Sequence, residues 1–188
     1  MENGLNAREK ILTTASRLFQ TQGYHATGLN QILKESCAPR GSLYYYFPKG
    51  KEELALESIK LASGFIQRKV KDILEKFSDP VEAIENIFKN LAIIIDEGDL
   101  ENISIGLISL ETYRSNEWLR QACEDVCEAM ENIYTEKLIQ SGFHKNKAKD
   151  IAILIQIMIE GAINISLTKK DTSPLLIVAN QVSVLLKH

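Results

Sequence analysis

Residues 40–47 read Arg-Gly-Ser-Leu-Tyr-Tyr-Tyr-Phe, which places one guanidinium, four hydroxyl groups and three phenol rings in a single short stretch. In a helix, successive residues point about 100° apart. Leu43 and Phe47, four apart, then share one face, and Arg40, Ser42, Tyr45 and Tyr46 are left for the other, with Tyr44 near the boundary. Three adjacent tyrosines cannot all pack on so short a helix, so at least one ring stands in solvent. An outward face that is aromatic, polar and positive suits the edges and phosphates of nucleic acid. Arg40 is the best candidate for a base contact, because its planar fork can hold guanine bidentately in the major groove.

Other groups that could do chemistry are sparse. Cys123 and Cys127 lie four apart on one predicted helix, a spacing compatible with a metal or a redox pair and equally with small core residues. His25, His144 and His188 are scattered, and no second thiol pair accompanies the cysteines, so no four-ligand zinc site is visible and no metal is expected. Gln156 and Glu160 lie four apart in the most apolar stretch, and Glu111 ends another apolar segment. A buried carboxylate is costly unless paired or hydrated, so these residues mark either an interface hydrogen bond or the polar anchors of a cavity. There is no glycine-rich phosphate loop, no Gly-x-Ser-x-Gly elbow and no clustered His/Asp/Glu set, which turns the balance from catalysis toward binding.

The elements that must position residues 40–47 can be read around them. In residues 29–36, Leu29, Ile32 and Leu33 form one apolar stripe, while Asn30, Gln31, Lys34 and Glu35 face water. Ala38-Pro39 breaks that helix and opens the next. Upstream, Asn6 and Glu9 have the spacing of a capping box, and Ile11, Leu12, Ala15, Leu18 and Phe19 fall on one face. Gly23-Tyr24 ends this helix, and Thr27 is expected to cap the following one through its hydroxyl. Thr27 and Lys51 thus stand at predicted helix N-termini, where free N–H groups and the dipole favour an anion.

The run Gly41-Ser42-Leu43-Tyr44-Tyr45-Tyr46-Phe47, followed by Lys51-Glu52-Glu53-Leu54, resembles the DNA-binding signature of TetR/AcrR-type transcriptional regulators. Leu18-Phe19, Gly23-Tyr24 and Ala26-Thr27 continue the likeness upstream, so that it covers about the first quarter of the chain. Two departures stand out: Cys37 occupies a turn position usually held by glycine, and the link 47–51 is one residue longer than usual. Residues 28–32, 41–44 and the tail from Ile159-Glu160-Gly161 to Pro174-Leu175-Leu176 are similar to the LmrA/YxaF-like subgroup. The resemblance implies that Gly41 brings backbone near a phosphate, that Ser42, Tyr45 and Tyr46 meet bases or phosphates, and that the Tyr44 hydroxyl and Lys51 bind phosphate. It also implies a double-stranded operator, a small-molecule effector and a homodimer built through the last two helices. Regulators of this kind often control drug-efflux or detoxification genes. Their inducer pocket lies in the larger domain, where the candidates here are Phe65, Phe88, Leu107, Tyr113, Trp118 and Tyr134 with Glu111, Gln156 and Glu160. Each of these six apolar and aromatic residues, taken singly, is better explained as core than as a ligand contact.

Composition agrees with this outline. At 188 residues and 45% hydrophobic content the chain can bury a substantial core, and four prolines, ten glycines and long periodic stretches point to an all-α protein. The net charge of −3 is uneven: residues 1–51 carry seven basic against three acidic side chains, or +4, which leaves −7 for the rest. That fits a DNA-binding head on an acidic body. Three cysteines without close pairing motifs suit a reducing compartment. Residues 1–4 show no secretory leader, and the apolar run 151–167, interrupted by Gln156, Glu160 and Asn164, is read as too short for a membrane span, so a cytoplasmic protein without cofactors is expected.

Beyond the head, a connector helix is predicted over 51–77, long enough to carry a tilt from body to head without a flexible linker. Further helices are expected from Asp79-Pro80 to Asp96, over 103–112, over 116–140, over 147–168 and over 173–187. The penultimate helix is apolar almost all round and must be covered on more than one side. The expected architecture is a three-helix DNA-binding head in residues 1–50 and a helical ligand-binding and dimerisation domain in residues 51–188. The alternatives are a thiol-based redox regulator using Cys123 and Cys127, and a helical-bundle enzyme.

Overall fold

The helix ends are set by the local chemistry that marks them in the sequence. Asn6 accepts the Glu9 amide through its side chain while the Glu9 carboxylate accepts the Asn6 amide, so the first helix starts on a closed capping box. The Asp79 carboxylate accepts the Val81 amide at 3.0 Å, with Pro80 at the first turn. The computed structural model describes residues 6–98 and 104–186, and within them every regular element is helical. The order is α1 (Ala7–Gln22), α2 (Leu29–Ser36), α3 (Arg40–Tyr46), α4 (Lys51–Lys76), α5 (Pro80–Asp96), α6 (Gly106–Thr112), α7 (Glu117–Gln140), α8 (Lys145–Lys169) and α9 (Ser173–Leu185).

The chain packs as two compact units. The first, Met1–Phe65 with Ser104–Val126, contains α1, α2, α3 and α6. Its α1 contacts α2, α3 and α6, and Ile11, Ala15, Leu18, Phe19, Ile32, Leu43, Phe47 and Leu54 are fully buried. The second, Ile66–Ile103 with Cys127–His188, contains α5, α8 and α9. There α5 lies against α9, α8 packs on both, and Ile84, Phe88, Tyr134, Ile155 and Leu175 form the interior. Along α7, Leu119, Cys123, Val126, Met130, Ile133, Tyr134 and Leu138 are all buried.

Three expectations need correction. The N-cap of α2 is Gly28, with no side-chain hydrogen bond, because the Thr27 hydroxyl turns inward and donates to the carbonyls of Gly23 at 2.7 Å and Leu18 at 3.2 Å. The helix expected from Ile103 begins at Gly106, whose amide donates to the Ser104 hydroxyl; Ile103 itself, like Asp99, Lys187, His188 and the leader positions 1–4, lies outside the described residues. Finally, α8 runs for 25 residues and is long and apolar enough, by length and composition, to cross a membrane. In this fold its Ile151, Ala152, Ile155, Ile159, Ala162 and Ile163 are buried against protein.

Candidate nucleic-acid interface

Helix α3 is short and anchored from beneath. Leu43 and Phe47 are fully buried, and the Arg8 guanidinium lies 5.4 Å from the centre of the Phe47 ring. With Leu43 and the following Phe47 held in the core, the rest of α3 is turned outward. Tyr45 is 79% exposed, Tyr44 48% and Tyr46 37%, and the Tyr45 and Tyr46 rings meet edge to face at 4.9 Å. Arg40 and Gly41 are exposed and Ser42 half-exposed. Nothing lies within 4 Å of where a Cβ on Gly41 would be, so backbone and solvent meet there directly. The expected ridge of tyrosines with a cation at its start is therefore present as a continuous surface.

The turn that aims α3 is tight. Cys37 ends α2 in the left-handed region, at φ 53° and ψ 31°, the conformation for which glycine would ordinarily be used. Pro39 then holds φ at −61° and delivers the chain into α3. After α3 the link closes through Gly50, whose φ is +65° and whose amide donates to the Phe47 carbonyl at 2.8 Å.

Lys51, the first residue of α4, is half-buried. Its ammonium lies 4.4 Å from the centre of the Tyr24 ring and 3.5 Å from the His25 carbonyl oxygen. Burial lowers its pKa, and the negative charge of Glu111 works against that. Burial, and then the charge of Glu52, raises the pKa of Tyr24. Thr27, placed with the phosphate contacts from its sequence position, has no exposed surface, and its hydroxyl is spent on two internal carbonyls. It is thus a buttress of the turn, and its side chain is withdrawn from the interface.

The residues assigned to an effector site divide between the two units. Phe65, Leu107, Glu111, Tyr113 and Trp118 belong to the first; Phe88, Tyr134, Gln156 and Glu160 belong to the second. In the first unit Glu111 is bonded to the turn before α2, and Trp118, 69% exposed, has the Lys49 ammonium 5.6 Å from its ring centre. Phe65, Leu107 and Tyr113 are all more than a third exposed. In the second unit Phe88 is core. Tyr134 is buried, and burial followed by the charge of Glu160 drives its pKa far above the usual phenol value. Gln156 Oε1 is buried without a hydrogen-bond partner. The second unit also has an open cleft of about 740 Å³ between the ends of α4 and α7, lined by Lys71, Leu74, Phe77, Glu136 and Lys137 among others. None of the predicted effector residues lines it. Cys123 is buried, Cys127 is half-buried, and neither forms a disulfide. Among the described residues no group of three or more His, Cys, Asp or Glu side chains could hold a metal ion.

Sequence reasoning missed the contacts made by His25, Asn116 and Trp118. Asn116 donates to the Glu52 carboxylate at 2.7 Å and also caps α7 by accepting the Leu119 amide. Its place at the start of a predicted helix was the one available signal.

An all-helical chain that holds a short, tyrosine-faced second helix outward across a tight turn defines a helix-turn-helix DNA-binding protein. Residues 11–57 match the bacterial regulatory proteins of the tetR family, and residues 80–181 match the LmrA/YxaF-like transcriptional regulator C-terminal domain. The chain is 47% identical over 183 residues to the uncharacterized HTH-type transcriptional regulator YxaF of Bacillus subtilis (strain 168), covering 97% of this chain and 96% of that one. It is 44% identical over 184 residues to the HTH-type transcriptional regulator LmrA of the same organism, covering 97% and 98%. A TetR transcriptional regulator from Legionella pneumophila shares the fold, with a TM-score of 0.86 at 21% identity, over 98% of this chain and 100% of that one. The chain belongs to the TetR family of bacterial transcriptional regulators and carries an LmrA/YxaF-like C-terminal domain.

Proposed function

We propose that this regulator is a ligand-responsive repressor that binds a palindromic operator as a homodimer and is released by a small apolar or amphipathic effector. The genes it controls would be those of efflux or detoxification, and its place of work the cytoplasm. DNA binding is assigned to residues 1–50, and effector binding and dimerisation to residues 51–188. The observation that carries this reading is the outward ridge of Tyr44, Tyr45 and Tyr46 on a helix whose other side is locked into the core. Arg40 reads a base edge, Gly41, Tyr44 and Lys51 meet phosphate, and Ser42, Tyr45 and Tyr46 meet bases or phosphates.

Dimerisation through α8 and α9 is supported by the apolar residues these helices leave in solvent: Ile153, Leu154, Ile157, Ile165 and Leu167 on α8, and Leu176, Ile177 and Val184 on α9. An effector site in the second unit is supported by Tyr134, Gln156 and Glu160. These are polar groups in apolar surroundings, one of them with a buried acceptor that lacks a donor. An effector acts only through its differential affinity for the DNA-competent and incompetent states.

Selection of duplexes from a randomised pool, followed by footprinting, tests the reading. Two inverted half-sites with centres about one helical turn apart are expected. Retention of all duplexes alike, or of none, would overturn it.

A further inference from the structure

The turn Gly23-Tyr24-His25 joins α1 to α2, and one side chain from far along the sequence is seated on it. The Glu111 carboxylate, on α6, accepts the His25 amide proton at 3.0 Å, and the Glu111 carbonyl oxygen lies 3.2 Å from His25 Nε2. Gly23 has φ +89°, and a Cβ there would run into the Glu111 carboxylate, so the turn is shaped around that group. The same His25 offers its carbonyl to the Lys51 ammonium, whose positive charge Glu111 favours. One carboxylate on α6 therefore reaches both the joint from which α2 departs and the cation assigned to phosphate. Its attachment is polar and half-exposed, outside the packed core, so it can be made or released without repacking.

We propose that Glu111 is the positioning residue through which α6 sets the turn Gly23-Tyr24-His25, and with it α2 and Lys51, for DNA. This names the regulatory contact of the reading above and rests on it. A change at α6 reaches the DNA-facing surface through this contact. Linkage makes the coupling reciprocal: if the state of α6 alters DNA affinity, bound DNA alters α6 by the same free energy. The coupling can therefore be measured from the DNA side with no effector in hand.

The experiment is hydrogen exchange of the full-length protein with and without a duplex that the wild type has selected from a randomised pool. In the wild type, DNA should slow exchange in α3 and also shift exchange across α6 by about fivefold or more. Glu111→Ala should keep the protection of α3 and lose the response of α6. Glu111→Gln retains an acceptor for the His25 amide and should restore it, whereas Glu111→Met, which fills similar space without an acceptor, should not; a merely space-filling role would have both restore it. If Glu111→Ala fails to fold, Glu111→Met, similar in length but without the carboxylate, takes its place in the same measurement. Protected α3 with α6 unmoved in the wild type, or an α6 response that persists in Glu111→Ala, overturns this proposal alone. Absence of protection at α3 overturns the DNA-binding assignment beneath it.

Discussion

Cys37 ends α2 with φ 53°, a conformation that costs an L-residue roughly 1–2 kcal/mol and glycine far less. Its side chain is exposed, with only a 3.8 Å contact from sulfur to the Lys34 carbonyl to lose. Cys37→Gly should therefore stabilise the head by about 0.5–1 kcal/mol after the added unfolded-state freedom is subtracted, and thermal unfolding should show it as a rise of a few degrees. On the DNA face the two cations should fail differently. Arg40→Ala should cost roughly 1–3 kcal/mol against the selected duplex and relax the preference at one base pair. Lys51→Ala should weaken all duplexes alike and reduce the salt slope by about one phosphate contact, which fluorescence anisotropy at several ionic strengths would separate. The outward tyrosines were legible because a short helix with two anchors leaves the other residues no interior to occupy. Thr27 was misread because a hydroxyl can accept from the following helix or donate to the preceding one, and local spacing does not choose between them. Glu111 was legible as an unusual carboxylate but not as the partner of His25, since 86 positions separate the two and only the fold joins them.

Helices whose ends carry side-chain caps were the ones with readable boundaries: α1 from Asn6 and Glu9, and α5 from Asp79 and Pro80. The start of α6 was not readable, because Ile105 caps it without a side-chain bond and the Ser104 hydroxyl takes the Gly106 amide from one position further out. The cap on α5 leads to a direct test. Asp79→Ala leaves the Val81 amide to water and should lower stability by about 1 kcal/mol, read from chemical denaturation. The burial of Tyr134 on α7, within the field of Glu160 on α8, leads to another. Tyr134 is buried, and burial, aided by the charge of Glu160, holds its pKa above the ordinary 10.0. An acid whose folded pKa is raised keeps its proton in the native state while the unfolded chain releases its own. The contribution of Tyr134 is thus intact below about pH 10 and is lost as pH rises toward the folded value. Urea midpoints measured from pH 8 upward should fall less steeply for Tyr134→Phe than for the wild type; equal slopes would mean that the phenol is not held neutral by its site.

For the molecule as a whole, the question is what covers the outer faces of α8 and α9. The sequence left these helices open between a monomer core and a second subunit, because a helix apolar almost all round can be covered by either. The fold narrows this: one side of α8 is buried against α5 and α9, while Ile157 remains 60% exposed and, on α9, Ile177 61% exposed. Two exposed branched side chains on neighbouring helices, accompanied by six other exposed apolar residues, are a poor surface for a monomer in water. Pairing with the same two helices of a second copy would remove them from solvent and present two heads to one stretch of DNA. Ile177→Glu should then convert the protein to a monomer by sedimentation, since each closed twofold interface would carry the new charge twice without a partner. The substitution lies on the outer side of α9, so head stability and binding to an isolated half-site should stay near wild type. Affinity for the full palindrome should fall roughly a hundredfold or more, because the second half-site is no longer held at high effective concentration. A dimeric Ile177→Glu protein with undiminished palindrome binding would place the pairing surface elsewhere.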